Sequence, residues 1–343
     1  MTHAARHGDD EAAAIRDFRR RLRADSNAYF RTRRRGADWR GWTKLAIGLA
    51  LHGGTLALIV AVPMPVATAL ALWVVNGLAQ AFLLANVGHD AVHQAFTGNR
   101  RGDAWLAQVM SLCGVDPAVY RISHVRDHHG VVNVGLVDAA LDARGLLRVS
   151  PHQPPPALGS WQAWLAWPVY TLALIDVALV RDFELARRFG EARARLAINK
   201  ALYLLVMLGL PLAVAPQPGW AVGLGFLLAM MTAGVALLLL FQVTHLVDDS
   251  RFPASGSDAG DSVSHILATT TDVAPDSLWL ALVGGGLHTH VAHHLFPGVC
   301  HVHYPALTRI IAAAAAESGA PYRCRPHFHQ ALAAHHRLLL ALS

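Results

Sequence analysis

Residues 45–62 and 66–87 are two nearly unbroken apolar runs, separated only by Pro63, Met64 and Pro65. Each is long enough to cross about 30 Å of hydrocarbon as a helix, so the pair predicts a transmembrane hairpin. The pattern recurs at residues 201–215 and 220–243, joined by the uncharged turn Pro216, Gln217, Pro218, Gly219. The first run of this second hairpin is short and contains Pro211, which predicts extension by a snorkelling Lys200 or local thinning of the bilayer. A further apolar stretch, residues 161–180, holds Pro168 and Asp176 and runs into Arg181, Arg187, Arg188, Arg193, Arg195 and Lys200. A crossing there would carry those charges to the far side and part the last histidine cluster from the first two. The stretch is therefore expected to be re-entrant or interfacial, with Trp161, Trp164 and Trp167 at headgroup depth. Residues 306–317 and 329–342 alternate as amphipathic surface helices, and 248–264, rich in Ser, Asp and Gly, predicts an exposed connection. The expected fold is an all-α integral membrane protein, multi-pass, with four transmembrane helices in two hairpins, interfacial helices and a histidine-rich cap.

Composition agrees: 54% of residues are hydrophobic and 15% charged, against about a quarter charged in an average soluble domain. The net charge of +6 would suggest nucleic acid in a soluble chain. Here 12 of the basic residues lie between Arg6 and Lys44, and none occurs in residues 45–99 or 201–250. Such gaps follow the positive-inside rule, so the charge reads as topology and contact with anionic membrane lipids, with no nucleic-acid partner. Both hairpins then return to the cytoplasmic face. Arg16, Arg19, Arg20, Arg21 and Arg23 predict a short amphipathic helix, and no signal peptide is expected. Cys113, Cys300 and Cys324 form no C-x-x-C pair, which argues against a disulfide framework or a thiolate metal site.

Histidine carries the chemistry. His89 and His93 lie in GHDAVH, His124, His128 and His129 in HVRDHH, and His290, His293 and His294 in HVAHH. One tetrahedral ion takes about four ligands, so these clusters predict a site for two metals. Histidines four apart on a helix share a face, which lets His89 with His93, and His124 with His128, bite a metal pair from one side. The adjacent pairs His128, His129 and His293, His294 are suited to give one ligand to each ion. His245 ends the last span at the same expected depth and ranks next. Asp90 is read either as a carboxylate orienting His89 or as a solvated loop residue. His265 and His288 are outer-shell candidates. His301 and His303 are expected at the surface on carboxylates or headgroups, His327, His329, His335 and His336 on a solvated face, and His52 satisfied by a neighbouring helix. Gly284, Gly285 and Gly286 lack the spacing of a dinucleotide loop and are expected to permit close backbone approach near the metals.

The motifs HDAVH, HVRDHH and HVAHH resemble the three histidine boxes of the membrane fatty acid desaturases, in order and with similar separations, from about residue 43 to the C-terminus. GGLHTHVAHHLFPGVCHVHYPAL is similar to the third-box region of the front-end acyl desaturases, and PYRCRPHFHQALAAHH resembles their C-terminal end. His290 stands where front-end enzymes usually have glutamine, and HVAHHLF is similar to the methyl-end third box, so the resemblance leaves the double-bond position open. It implies a basic cytoplasmic segment at residues 1–42 and a desaturase domain at 43–343. It further implies two non-haem Fe ions on His89, His93, His124, His128, His129, His245, His290, His293 and His294. Two supplied electrons and dioxygen would remove hydrogens from neighbouring methylenes of an acyl chain, giving a cis alkene and water.

The N-terminal region lacks the HPGG motif of a fused cytochrome b5, so a separate donor, a ferredoxin or cytochrome b5 with its reductase, is expected. Arg187, Arg188, Arg193 and Arg195 would steer an acidic carrier or face headgroups. Hydroxylation, acetylenation or ring oxidation on the same scaffold stays open, as does a histidine-rich metal transporter. The acyl carrier, whether free acid, thioester or glycerolipid, also stays open.

Overall fold

The computed structural model describes residues 3–256 and 262–343. Among these, four helices are long and apolar enough to cross a membrane: Trp39–Ala61, Val66–Val92, Arg193–Val214 and Gly219–His245. The second packs against both the first and the fourth. Between apolar helices in lipid there is no hydrophobic drive, so packing and polar contacts hold the bundle. Asn76 supplies such contacts, donating to the His52 carbonyl at 2.9 Å and to Thr55 at 2.8 Å. The buried His52 Nδ1 has no hydrogen-bond partner among the described residues.

The third span corrects the sequence reading. It begins at Arg193, and Lys200 does not snorkel: it is buried, donating to the Gly114 carbonyl at 2.6 Å and to Asp182 at 2.5 Å. A paired ammonium can sit inside the span, so the charge that looked like a boundary is an internal tie. A π-turn at Leu205–Gly209 precedes Pro211, whose missing N–H falls where the helical ladder is already loosened.

Residues 159–189 form two helical pieces, Gly159–Thr171 and Ala173–Phe189, bent by 59°. Both ends face the cap: Gln162 donates to the Leu339 carbonyl at 2.8 Å, and Asp182 accepts from the Asp116 N–H at 2.8 Å. The elbow reaches the middle of the fourth span, where a Cβ on Gly234 would stand 2.9 Å from the Thr171 carbonyl oxygen. The segment therefore dips in and returns, in line with the re-entrant expectation. At the opposite end of the bundle Gln217 donates to the Val62 carbonyl at 3.3 Å, bringing the two hairpin turns together away from His89 and His245.

The N-terminal helix spans His3–Phe30, far longer than the short helix expected. Its Ile15, Phe18 and Leu22 bury against Leu307, Ile311 and Ala314 of the helix Tyr304–Ser318, each contributing about 1.5–3 kcal/mol. Arg21 pairs with Glu317 across that contact. His335, expected on a solvated face, is instead fully buried on the helix Phe328–Ala341. Its Nδ1 donates to the Leu246 carbonyl at 2.6 Å, and its Nε2 accepts from the Tyr170 hydroxyl at 2.7 Å. His327 and His329 are exposed. In the expected connection, Asp248 is pinned by Arg325 and Arg337, and residues 257–261 lie outside the described residues.

The glycine triplet does permit close approach. Gly285 has φ +58°, and a Cβ there would lie 2.1 Å from the Ala85 carbonyl, on the π-turn Leu84–Gly88 that leads into His89. Gly285→Ala adds about 1–2 kcal/mol of left-handed strain to a backbone collision. We expect it to lower the melting temperature in detergent by about 5 °C or more, with Gly53→Ala, whose Cβ meets open space, unchanged within about 2 °C. Equal melting of the two variants would refute the close approach.

Candidate metal centre

The structure gathers the nine expected histidines at one end of the bundle, from four stretches of chain. His89, His93, His124 and His293 form one set with ligand atoms all within 4.8 Å, and His128, His245, His290 and His294 form a second. His129 groups with His293 and His294, between the two. The adjacent pair His293, His294 divides between the sets as the sequence predicts. His124 and His128 also divide, their rings stacked at 5.3 Å. A π-turn at Ile122–Arg126 carries His124, so the HVRDHH box is wound more widely than an α-helix. The six-residue helix His290–Leu295 supplies three of the nine, and His245 is the last residue of the fourth span.

Outer groups decide which ring nitrogen is free. A carbonyl or carboxylate only accepts, so the ring atom facing it carries the proton. His128 Nδ1 donates to Asp138 at 3.1 Å, His290 Nδ1 to the Leu287 carbonyl at 2.8 Å, and His245 Nδ1 to the Thr269 carbonyl at 3.2 Å. His293 Nδ1 hydrogen-bonds the Tyr304 hydroxyl at 3.2 Å. On His128, His290 and His245 Nε2 is thereby left as a bare lone pair facing the cluster, while the Tyr304 hydroxyl, able to donate or accept, orients the His293 ring. The Nε2 atoms of His93, His129, His290 and His293 are buried with no hydrogen-bond partner among the described residues. Burial first, and neighbouring rings after it, hold His93, His124, His290, His293 and His294 well below the ordinary imidazole value. Neutral rings with orphaned lone pairs aimed at two points fit a pair of metal ions of the borderline, nitrogen-binding kind.

Several of these partners escape sequence reasoning. Asp138, which also accepts from the N–H groups of Asn133 and Ala140, sits in a loop with no local signal. Asp272 accepts from the Val291 N–H at 2.8 Å and the Tyr322 hydroxyl at 2.6 Å, anchoring the third-box helix, and burial pushes its carboxyl up to about 7. Asp90 is buried, not solvated, and its Oδ1 lies 3.9 Å from His89 Nδ1. His301 and His303 are buried too, contrary to the surface expectation. His301 does meet a carboxylate, Asp90, whereas His303 takes the Tyr29 hydroxyl at 3.0 Å and the Gly36 carbonyl at 3.2 Å. His265 and His288 fall in neither set. Of the basic residues placed on the outer surface, Arg187, Arg188 and Arg193 are exposed, and Arg195 is tied to Asp116 and Glu191.

A cavity of about 470 Å³ abuts both sets, touching His89, His124, His128 and His245. Leu84, Met110, Leu237, Leu238 and Phe241 give it apolar walls, and Tyr170, Arg144 and Arg181 also line it. Its size falls within the range of small-molecule sites.

Comparison with known proteins identifies the family. The profile described as fatty acid desaturase matches residues 65–326. An sn-1 linoleoyl-lipid 6-desaturase of Synechocystis sp. is 31% identical, the match covering 78% of this chain and 79% of the relative. An acyl-lipid (8-3)-desaturase of Physcomitrium patens is 33% identical over 77% of this chain and 58% of its own length. An sn-1 linoleoyl-lipid 6-desaturase of Arthrospira platensis is 28% identical over 75% and 73%. The chain belongs to the fatty acid desaturase family. It is accordingly a membrane-bound oxidoreductase, a fatty acid desaturase.

The depressed imidazoles fix a pH dependence. In the folded, metal-free protein they stay neutral, while in the unfolded chain they take up protons below about 6.5. Their stabilisation is complete above that pH and is lost as pH falls through it, by up to about 1.4 kcal/mol per pH unit for each such ring. Chelator-treated protein should melt several degrees lower at pH 5.5 than at pH 7.5, measured by thermal unfolding in detergent. Equal melting at both would show that the rings protonate freely in the folded state.

Proposed function

We propose that the two histidine sets hold two non-haem iron ions and that the enzyme places a cis double bond in the acyl chain of a membrane glycerolipid. The observation that carries this reading is the pairing of two four-histidine sets with one apolar cavity touching members of both. One ion would sit on His89, His93, His124 and His293, the other on His128, His245, His290 and His294, with His129 beside both. When bound, such an iron pair supplies the activation of dioxygen needed to oxidise an unactivated methylene.

The chain's own residues do the rest. The apolar cavity walls would hold the alkyl chain against the cluster and exclude water, which leaves the choice of methylene to the depth of insertion. Phe241, with ring centroids 6.3 Å from His89 and 6.0 Å from His290, stands where it would press the chain toward the metals. Asp138 and the carbonyls of Leu287 and Thr269 keep Nε2 deprotonated on His128, His290 and His245. Neutral imidazoles also suit oxidative chemistry, since a thiolate there would itself be oxidised. The acyl-lipid substrates in the relatives' names support a glycerolipid over a soluble thioester. Electrons would come from a separate ferredoxin or cytochrome b5 with its reductase, docking on the exposed Arg187, Arg188 and Arg193.

His128→Ala or His294→Ala should reduce iron below two atoms per chain and lower turnover by at least about 10³-fold. The assay is iron analysis beside mass spectrometry of lipids, with ferredoxin, its reductase, NADPH and dioxygen supplied. Full turnover in either variant would sink the assignment, and a hydroxylated product would move the reaction to the related oxygenases.

The cluster is proposed to lie on the cytoplasmic face, on the strength of the basic residues flanking it. Cysteines introduced at positions 64 and 217 should then label from outside intact cells, and one at 190 only after permeabilisation. Outside labelling at 190 would reverse the placement.

A further inference from the structure

Beside the two histidine sets lies a buried polar chain that neither uses directly. Lys44, on the first span, donates to the Asn86 side-chain oxygen at 2.7 Å, to the Ala281 carbonyl at 2.8 Å and to His301 Nε2 at 3.1 Å. An ammonium has three protons and no lone pair, so His301 Nε2 must accept. His301 Nδ1 is then the protonated atom, and it donates to Asp90 Oδ2 at 2.8 Å, which also accepts the His301 backbone N–H at 2.9 Å. Proton positions from Lys44 to Asp90 are thus dictated by Lys44, and the remaining carboxylate oxygen, Oδ1, brings its negative charge to 3.9 Å from the Nδ1 of His89, which has no hydrogen-bond partner among the described residues. The His89 Nε2 lies 3.0 Å from His124 Nε2, in the cluster.

We infer that Lys44, His301 and Asp90 are positioning residues that act through His89 to set the metal affinity of the His89, His93, His124 and His293 set alone. The inference rests on the two-metal reading above and deepens it. Burying an ammonium and a carboxylate with full hydrogen bonding costs more than an apolar contact of the same volume. Packing alone gives no reason for it, while orientation of a ligand does. Asn86, which ties the same Lys44 to the π-turn before His89, also donates to the Phe82 and Val283 carbonyls at 3.0 Å and 2.8 Å, so the chain is braced from both sides. The second set has its own carboxylate in Asp138, 3.1 Å from His128. Each set thus has one carboxylate of its own.

The test uses the full chain in detergent, stripped of metal and titrated with cobalt(II), whose visible absorption reports nitrogen ligation without turnover. Wild type should take two ions per chain. Lys44→Met and Asp90→Asn should keep one class of site unchanged and weaken the other about 10–100-fold, with elution and melting close to wild type. Asp90→Asn, nearly isosteric, carries the test if Lys44→Met does not fold. Unchanged binding of both ions in a folded variant would overturn the inference, as would equal weakening of both, the mark of a general loosening. A thiolate-to-cobalt charge-transfer band would overturn it too, by placing an ion on Asp90, Cys300 and His301 instead. Failure of wild type to bind two ions would refute the two-metal reading itself, a result separate from any of these.

Discussion

Nine imidazoles can crowd about two points only while they are neutral, and the rest of the structure serves that requirement. His89 and His93 have ring centroids 4.8 Å apart, and His129 and His294 4.2 Å apart. If such neighbours were charged, each pair would repel by about 3–4 kcal/mol at an effective dielectric of 20. Burial holds His93, His124, His290, His293 and His294 neutral, and outer acceptors choose which nitrogen keeps its proton on His128, His245 and His290. The π-turns before His89 and around His124 bring rings from separate stretches onto common points that a regular helix would miss. Gly285, pressed on the Ala85 carbonyl, then locks the third-box stretch against the second span.

The spans and the histidines were legible for physical reasons. Lipid forces about twenty apolar residues on any helix that crosses it, and dense histidine at span ends has few uses other than metal. The partners of those histidines were not legible, because each lies far away in sequence or in an unremarkable loop. Asp272 supports Val291, Tyr304 supports His293, and Lys44 meets His301 across 257 positions. Nor does hydropathy see a charge that is paired inside a span: Lys200 read as a helix boundary because nothing in its neighbourhood announces Asp182 and the Gly114 carbonyl. The same blindness placed His335 in solvent, since its partners Tyr170 and Leu246 belong to other elements.

The re-entrant segment is where fold and chemistry join. It is apolar enough for a span but bent by 59°, and through that bend it supplies a wall to the cavity. Its elbow rests on Gly234, and Tyr170 is fixed by His335, so the wall near the metals is rigid. Further out it is held by Arg144 to Asp176 and Glu184, and by Arg181 to Asp142 and Asp176. These pairs are partly exposed, and each is worth about 0–1 kcal/mol. The inner wall, by contrast, is tied by the buried Lys200 and Asp182 pair, where removing one partner leaves an uncompensated charge at about 3–5 kcal/mol. The cavity wall is therefore tied more strongly at the buried Lys200–Asp182 pair than at the partly exposed arginines. That gradient follows from where the chain spends its buried charges.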